Sequence, residues 1–137
     1  MTRILRTLVL ASLLIWAPKL VAQEIAVIVH PDVDISAIDD NRIAQIFLGK
    51  STLLLPYDLP RKLPIKAAFY QRATGRSLSQ VRAIWTRLVF SGRAKMPKEF
   101  RDSESVKKQI ASDPQGIAYV EKSAVDKSVK VVKIYAD

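Results

Sequence analysis

The chain contains no cysteine. That excludes disulfides, thiol nucleophiles and thiolate metal sites, and it leaves stability to packing. Histidine is nearly absent as well. His30 is the single one, so neither a metal site nor a Ser–His pair has much to build on. Only four glycines occur in 137 residues, and no P-loop, dinucleotide fingerprint or G-x-S-x-G elbow is present. His30 stands before Pro31 at the end of an apolar run and reads as a loop residue rather than a base. Asp39 and Asp40 have the chemistry of an acid–base pair, but adjacent aspartates at a helix start read first as cap and dipole partners. Trp85, Tyr70 and Tyr119 read as core or rim aromatics. No catalytic set emerges. No cofactor or metal is expected, and the chain is not expected to be an enzyme.

Acidic residues are missing from one long stretch. Between Leu59 and Lys98 there are ten basic residues and no acid. Residues 23–58 carry six acids and two bases, and from Glu99 onward the signs balance at seven each. A single-sign block of this kind attracts anions and speeds their encounter. It also has a plainer reading, a solvated basic face that keeps the protein soluble. Nucleic acid is not an expected partner, because no binding motif is present and the chain reads as exported.

Long apolar runs are scarce too, apart from one at the start. In "MTRILRTLVLASLLIWAPKLVAQE", Arg3 and Arg6 precede ten largely apolar residues, Leu8 to Ala17, and Leu20-Val21-Ala22 offers a small residue before a cut. This is the layout of a secretory signal peptide over residues 1–22. The alternative is an uncleaved anchor, although the run falls short of the roughly 20 apolar residues that span a bilayer. Cleavage after Ala22 leaves residues 23–137, which is 137 − 22 = 115 residues with a net charge of 19 − 13 = +6. That length suits one small domain, and a bacterial periplasm is the simplest home.

Strand and helix signals alternate along this domain. "EIAVIVHP" reads as a buried strand closed by Pro31. Asp39 or Asp40 caps a helix whose inner face is Ile43, Ile46 and Phe47, with Gly49 just past its end. "STLLLPY" reads as a short second strand. Pro64 opens a helix with Ile65, Ala68 and Phe69 inward, ended by Gly75. Ser77 and Gln80 form a capping box for a third helix, with Leu78, Val81, Trp85, Leu88 and Val89 on one face. Arg87 points away from that face, and Arg82 lies at its edge. Ser103 is expected to cap a fourth helix that stops before Asp113-Pro114. "GIAYV" and "VKVVKIYA" read as the last strands, giving an α/β layer fold. The stretch "DLPRKLPIKAAFY" therefore joins a strand to a helix start, a common place to hold an anion, and Arg61 and Lys62 sit on that loop.

"ISAIDDNRIAQIFLGKS" and "SDPQGIAYVEKSAVDKSVKVVKI" resemble two segments of the phosphate-type periplasmic substrate-binding proteins, the second in the place of "NPGAIGYV…VKxLKI". "RATGRSLSQVRAIWTRLVFSGRAKMPKEF" looks like the middle of a short, exported subgroup of that family. The resemblance covers Glu24 to Ile134. It implies a type II periplasmic binding-protein-like fold truncated to about one lobe, with a small mixed sheet flanked by helices. It also implies phosphate or another small anion as ligand, and an inner-membrane permease as partner. The family's phosphate loop reads "SGSGTR". Counting back from Phe69, its threonine place holds Ile65 and its arginine place holds Lys66, while Lys62, Leu63 and Pro64 stand in the serine and glycine places.

Two functional readings follow. In the first, the protein is a non-catalytic solute-binding module in which Arg61, Lys62, Lys66 and Arg93 attract a small anion. In the second, the fold has lost ligand binding and docks its basic face on a sensor or permease. A half-length chain also invites a homodimer that rebuilds a two-lobed cleft.

Overall fold

The computed structural model describes residues 23–136, so the signal peptide expected over residues 1–22 lies outside the described residues. The apolar run after Glu24 forms β1 (Ile25–Val29), and all five of its residues are buried. A strand with no polar alternation must be covered on both faces, and β1 sits inside the sheet. It pairs antiparallel with β3 (Gly116–Glu121), Val27 facing Tyr119, and antiparallel with β4 (Lys130–Tyr135). The sheet is completed by β2 (Leu55–Pro56), parallel to β3, in the order β2-β3-β1-β4. It is therefore a small mixed sheet flanked by helices, as expected.

Four helices cover it: α1 (Asp40–Phe47), α2 (Pro64–Thr74), α3 (Leu78–Phe90) and α4 (Ser103–Ser112). None of the described helices is long and apolar enough to cross a membrane. The caps follow local chemistry. Asp39 accepts the Arg42 N–H at 2.7 Å, and Ser77 and Gln80 close a reciprocal capping box. The core centres on four rings from α1, α2 and β3. Phe69 stacks on Tyr119 at 4.0 Å between centroids and meets Phe47 edge-on at 4.8 Å. Tyr70 packs edge-on against both Phe69 and Tyr119.

Several expectations need correction. The second strand is only two residues long. Pro56 has no N–H to donate, and Leu53 and Leu55 are about half exposed. Asp102, not Ser103, caps α4, because its carboxylate accepts the Ser105 N–H at 2.8 Å. The Ser103 hydroxyl instead donates to Glu121. Val89 lies on the exposed side of α3, and α2 buries Tyr70 and Ala73 where Ala68 is only half-buried. Lys107 of α4 is buried among Glu104, Asp126 and the Ala124 carbonyl, all at 2.8–2.9 Å.

Gly49 ends α1 in the left-handed region, at φ 74°. A Cβ there would lie 2.5 Å from Leu88 Cδ1 and 3.1 Å from the Trp85 ring. Leu88 can swing aside, but the backbone conformation cannot adapt as cheaply. Gly49→Ala should lower stability by about 1–2 kcal/mol, read as a drop in the urea midpoint with an unchanged slope. A midpoint that does not move would mean that this turn is not strained.

Candidate functional site

The loop between β2 and α2 is bound on its outer side by the segment after α3. The Asp58 N–H donates to the Lys98 carbonyl at 2.9 Å, and the Phe100 N–H donates to the Asp58 carbonyl at 2.9 Å. This forms a parallel bridge between Asp58 and Glu99. These are the two acids that flank the acid-free stretch, brought side by side.

Asp58 is 5% exposed, and its carboxylate is surrounded by donors. Oδ2 accepts the Tyr70 hydroxyl at 2.8 Å. Oδ1 accepts the Tyr119 hydroxyl and the Leu59 N–H, the latter at 2.9 Å. Lys66 Nζ stands 3.4 Å from Oδ2 and 3.6 Å from Glu99 Oε2. Burial, and then the Asp58 charge, push both tyrosines far above their ordinary pKa, so they remain donors. Two hydroxyls, a backbone N–H and an ammonium at a helix start are the donor set of an oxyanion site. Here they hold the chain's own carboxylate.

Lys66 lies in the first turn of α2, where a cation opposes the helix dipole. Leu63 provides no side-chain cap. Asp58 and Glu99 pair with the Lys66 ammonium from outside the helix. Beyond Lys66 opens a cleft of about 340 Å³ lined by Arg61, Lys66, Leu78, Arg82, Met96 and Glu99. Arg61 and Arg82 have no ion-pair partner among the described residues. Leu78 and Arg82 are i and i+4 on α3 and so share a face. The cleft therefore presents two unpaired guanidinium groups beside an ammonium that already has carboxylate partners.

Of the four residues expected to bind a ligand, the structure brings Arg61 and Lys66 together. Lys62 is exposed on the same loop but lines neither the cleft nor the groove beside it. Arg93 lines that neighbouring groove, which meets the cleft at Met96. Sequence reasoning missed Arg82, Asp58 and Glu99. The available signals were the i, i+4 relation of Arg82 to Leu78 and the position of the two acids at the ends of the basic block.

No protein-family model matches the sequence. Among solved structures, the chain is similar to an ABC-type phosphate transport receptor from Vibrio cholerae, with a TM-score of 0.66 and 14% identity over 82% of this chain and 48% of that one. A phosphate ABC transporter substrate-binding protein from Clostridium perfringens, solved with bound phosphate, gives 0.65 and 18% over 81% and 44%. PstS from Borrelia burgdorferi gives 0.60 and 11% over 82% and 48%. The chain thus spans about half the length of the structures it matches. Its fold is that of the phosphate ABC transporter substrate-binding proteins, reduced to about one lobe.

Proposed function

We propose that the protein is a non-catalytic, exported solute-binding-type protein that recognises a small oxyanion, phosphate first among them, at the cleft of Arg61, Lys66 and Arg82. The observation that carries this reading is the convergence of Arg61 and Arg82, both unpaired, on one concavity beside a helix start. An arginine offers a planar fork of donors to an oxyanion, which a lysine cannot. Apart from Glu99, the cleft is lined from the acid-free basic stretch, whose positive charge supports rapid capture. The likeness in fold to phosphate receptors supports the choice of anion, and the same likeness supports an inner-membrane permease as the partner.

Calorimetric titration with phosphate and sulfate tests the reading. Arg82→Ala should weaken phosphate binding by about 1.5–3 kcal/mol, roughly 10- to 150-fold, with Arg61→Ala similar. Both side chains are exposed, so neither change should affect folding. Absence of heat at millimolar phosphate and sulfate would sink it.

A second reading rests on Asp58. Its carboxylate already takes the buried donors, which leaves only exposed guanidinium groups for a ligand. A basic face of that kind suits docking on an acidic surface of a sensor or permease, where it would act mainly on association rate and salt dependence. Crosslinking in cells that yields only free monomer counts against this alternative.

A further inference from the structure

Across Met96 from the anion cleft lies a larger groove of about 820 Å³, lined mainly by residues 51–57 and 93–98. Its floor includes Ile46, Tyr57 and Trp85, all buried. The polar atoms of that floor are already engaged. Trp85 Nε1–H donates to the Phe47 carbonyl at 2.9 Å. The Tyr57 hydroxyl donates to Asp113 and accepts from Gln109 at 3.2 Å. The floor therefore offers a ligand apolar contact and few free donors. Of the five exposed large apolar side chains among the described residues, Leu53, Leu55 and Met96 also line it.

The charge in the groove is of one sign. Arg93, Lys95 and Lys98 line it, and no acidic residue does. None of the three has a carboxylate partner among the described residues, although Lys98 sits 5.1 Å over the Phe100 ring. An inorganic anion would gain little from the apolar floor, and a neutral apolar molecule would leave three cations unused. The groove fits a ligand that is both. Its volume lies within the roughly 300–1,000 Å³ typical of small-molecule sites. An added peptide strand fits less well. Pro56 has no N–H for the outer edge of β2, and the Asp58 N–H is spent on the Lys98 carbonyl.

We infer that this groove binds a free, monomeric amphiphile with one anionic head and an unbranched aliphatic body, the head held by Arg93, Lys95 and Lys98 and the body laid over Trp85 and Leu55. The site is separate from the anion cleft and does not depend on phosphate recognition there.

Trp85 supplies the readout. In the full chain with Trp16→Phe it is the only remaining tryptophan. Octanoate, decanoate and dodecanoate, kept below micellar concentrations, should change its fluorescence saturably. Affinity should rise about four-fold per methylene. Decanol should bind at least about ten-fold more weakly than decanoate, on the scale of a charge-assisted contact. Lys95→Ala with Lys98→Ala, both exposed, should narrow that difference, leaving what Arg93 supplies, and keep the chain-length dependence. Saturating phosphate should not displace decanoate. The inference is overturned by any of three results: no saturable signal, equal affinity for decanoate and decanol, or a response seen only with anionic vesicles. Displacement of decanoate by phosphate would overturn it too, because the head would then be using the other cleft.

Discussion

Replacing Asp58 with alanine should lower the stability of the protein by about 3–5 kcal/mol, the scale of breaking a buried charged network from one side. The cause is what is left behind. Tyr70 and Tyr119 are both fully buried and would lose their common acceptor, and each stranded hydroxyl costs about 1–3 kcal/mol. Lys66 would lose its nearer carboxylate and keep Glu99, whose side chain is 51% exposed and so compensates weakly. The Leu59 N–H would lose its nearer acceptor and keep only the Tyr119 hydroxyl at 3.4 Å. Against a typical stability of roughly 5–15 kcal/mol, this removes about a fifth or more. Asp58→Asn keeps an acceptor and should cost less. Tyr119→Phe removes one donor to Asp58 and a long second acceptor of the Leu59 N–H, and should cost about 1 kcal/mol. Urea unfolding followed by circular dichroism separates the three. A loss below about 1 kcal/mol for Asp58→Ala would mean that the carboxylate is not the centre of the network.

The second large effect is alkaline unfolding. All four tyrosines of the chain, Tyr57, Tyr70, Tyr119 and Tyr135, have pKa values raised in the folded state, with burial the first cause in each. For Tyr70 and Tyr119 the Asp58 charge adds to it. The sign follows from linkage. The folded state holds these protons more tightly than the unfolded chain, whose tyrosines titrate near pH 10. The stabilisation is complete below that pH and is lost as pH rises toward the folded values. Each tyrosine contributes a slope of about 1.4 kcal/mol per pH unit, so Tyr70 and Tyr119 together give about 2.8 kcal/mol per unit. Tyrosinate absorbance should therefore appear in one step, together with loss of the circular dichroism signal. Smooth ionisation near pH 10 with the fold intact would show that the rings are not shielded.

Much of the fold was legible because its signals are local. The all-apolar run of β1, the Asp39 cap, the Ser77–Gln80 box and the glycines after α1, α2 and α3 each act within a few residues. Where local rules compete, they misled. Asp102 and Ser103 are both good caps, and the aspartate wins because its carboxylate reaches the Ser105 N–H. "STLLLPY" has strand composition, yet only Leu55 and Pro56 find a partner on β3. A strand depends on its neighbour, and residue pattern alone does not reveal where pairing stops.

The site divides in the same way. From the sequence by itself came the lack of cysteine and the single histidine, the acid-free basic stretch, and the position of Lys66 at the start of a helix. Only the tertiary structure decided which charges meet. Asp58 reaches Tyr70 from 12 residues away and Tyr119 from 61. It does so because the sheet register carries Tyr119 to the ring cluster where α2 docks. Glu99 returns to Lys66 through its bridge to Asp58, and Arg82 enters the cleft because α3 packs beside α2. Helical and strand periodicity act over a few residues, whereas an ion pair or a buried hydroxyl is chosen by whichever groups packing brings within about 3 Å of it. The loop that began as an open, basic anion site is in the folded protein a carboxylate held by its own chain, with the unpaired arginines standing just outside it.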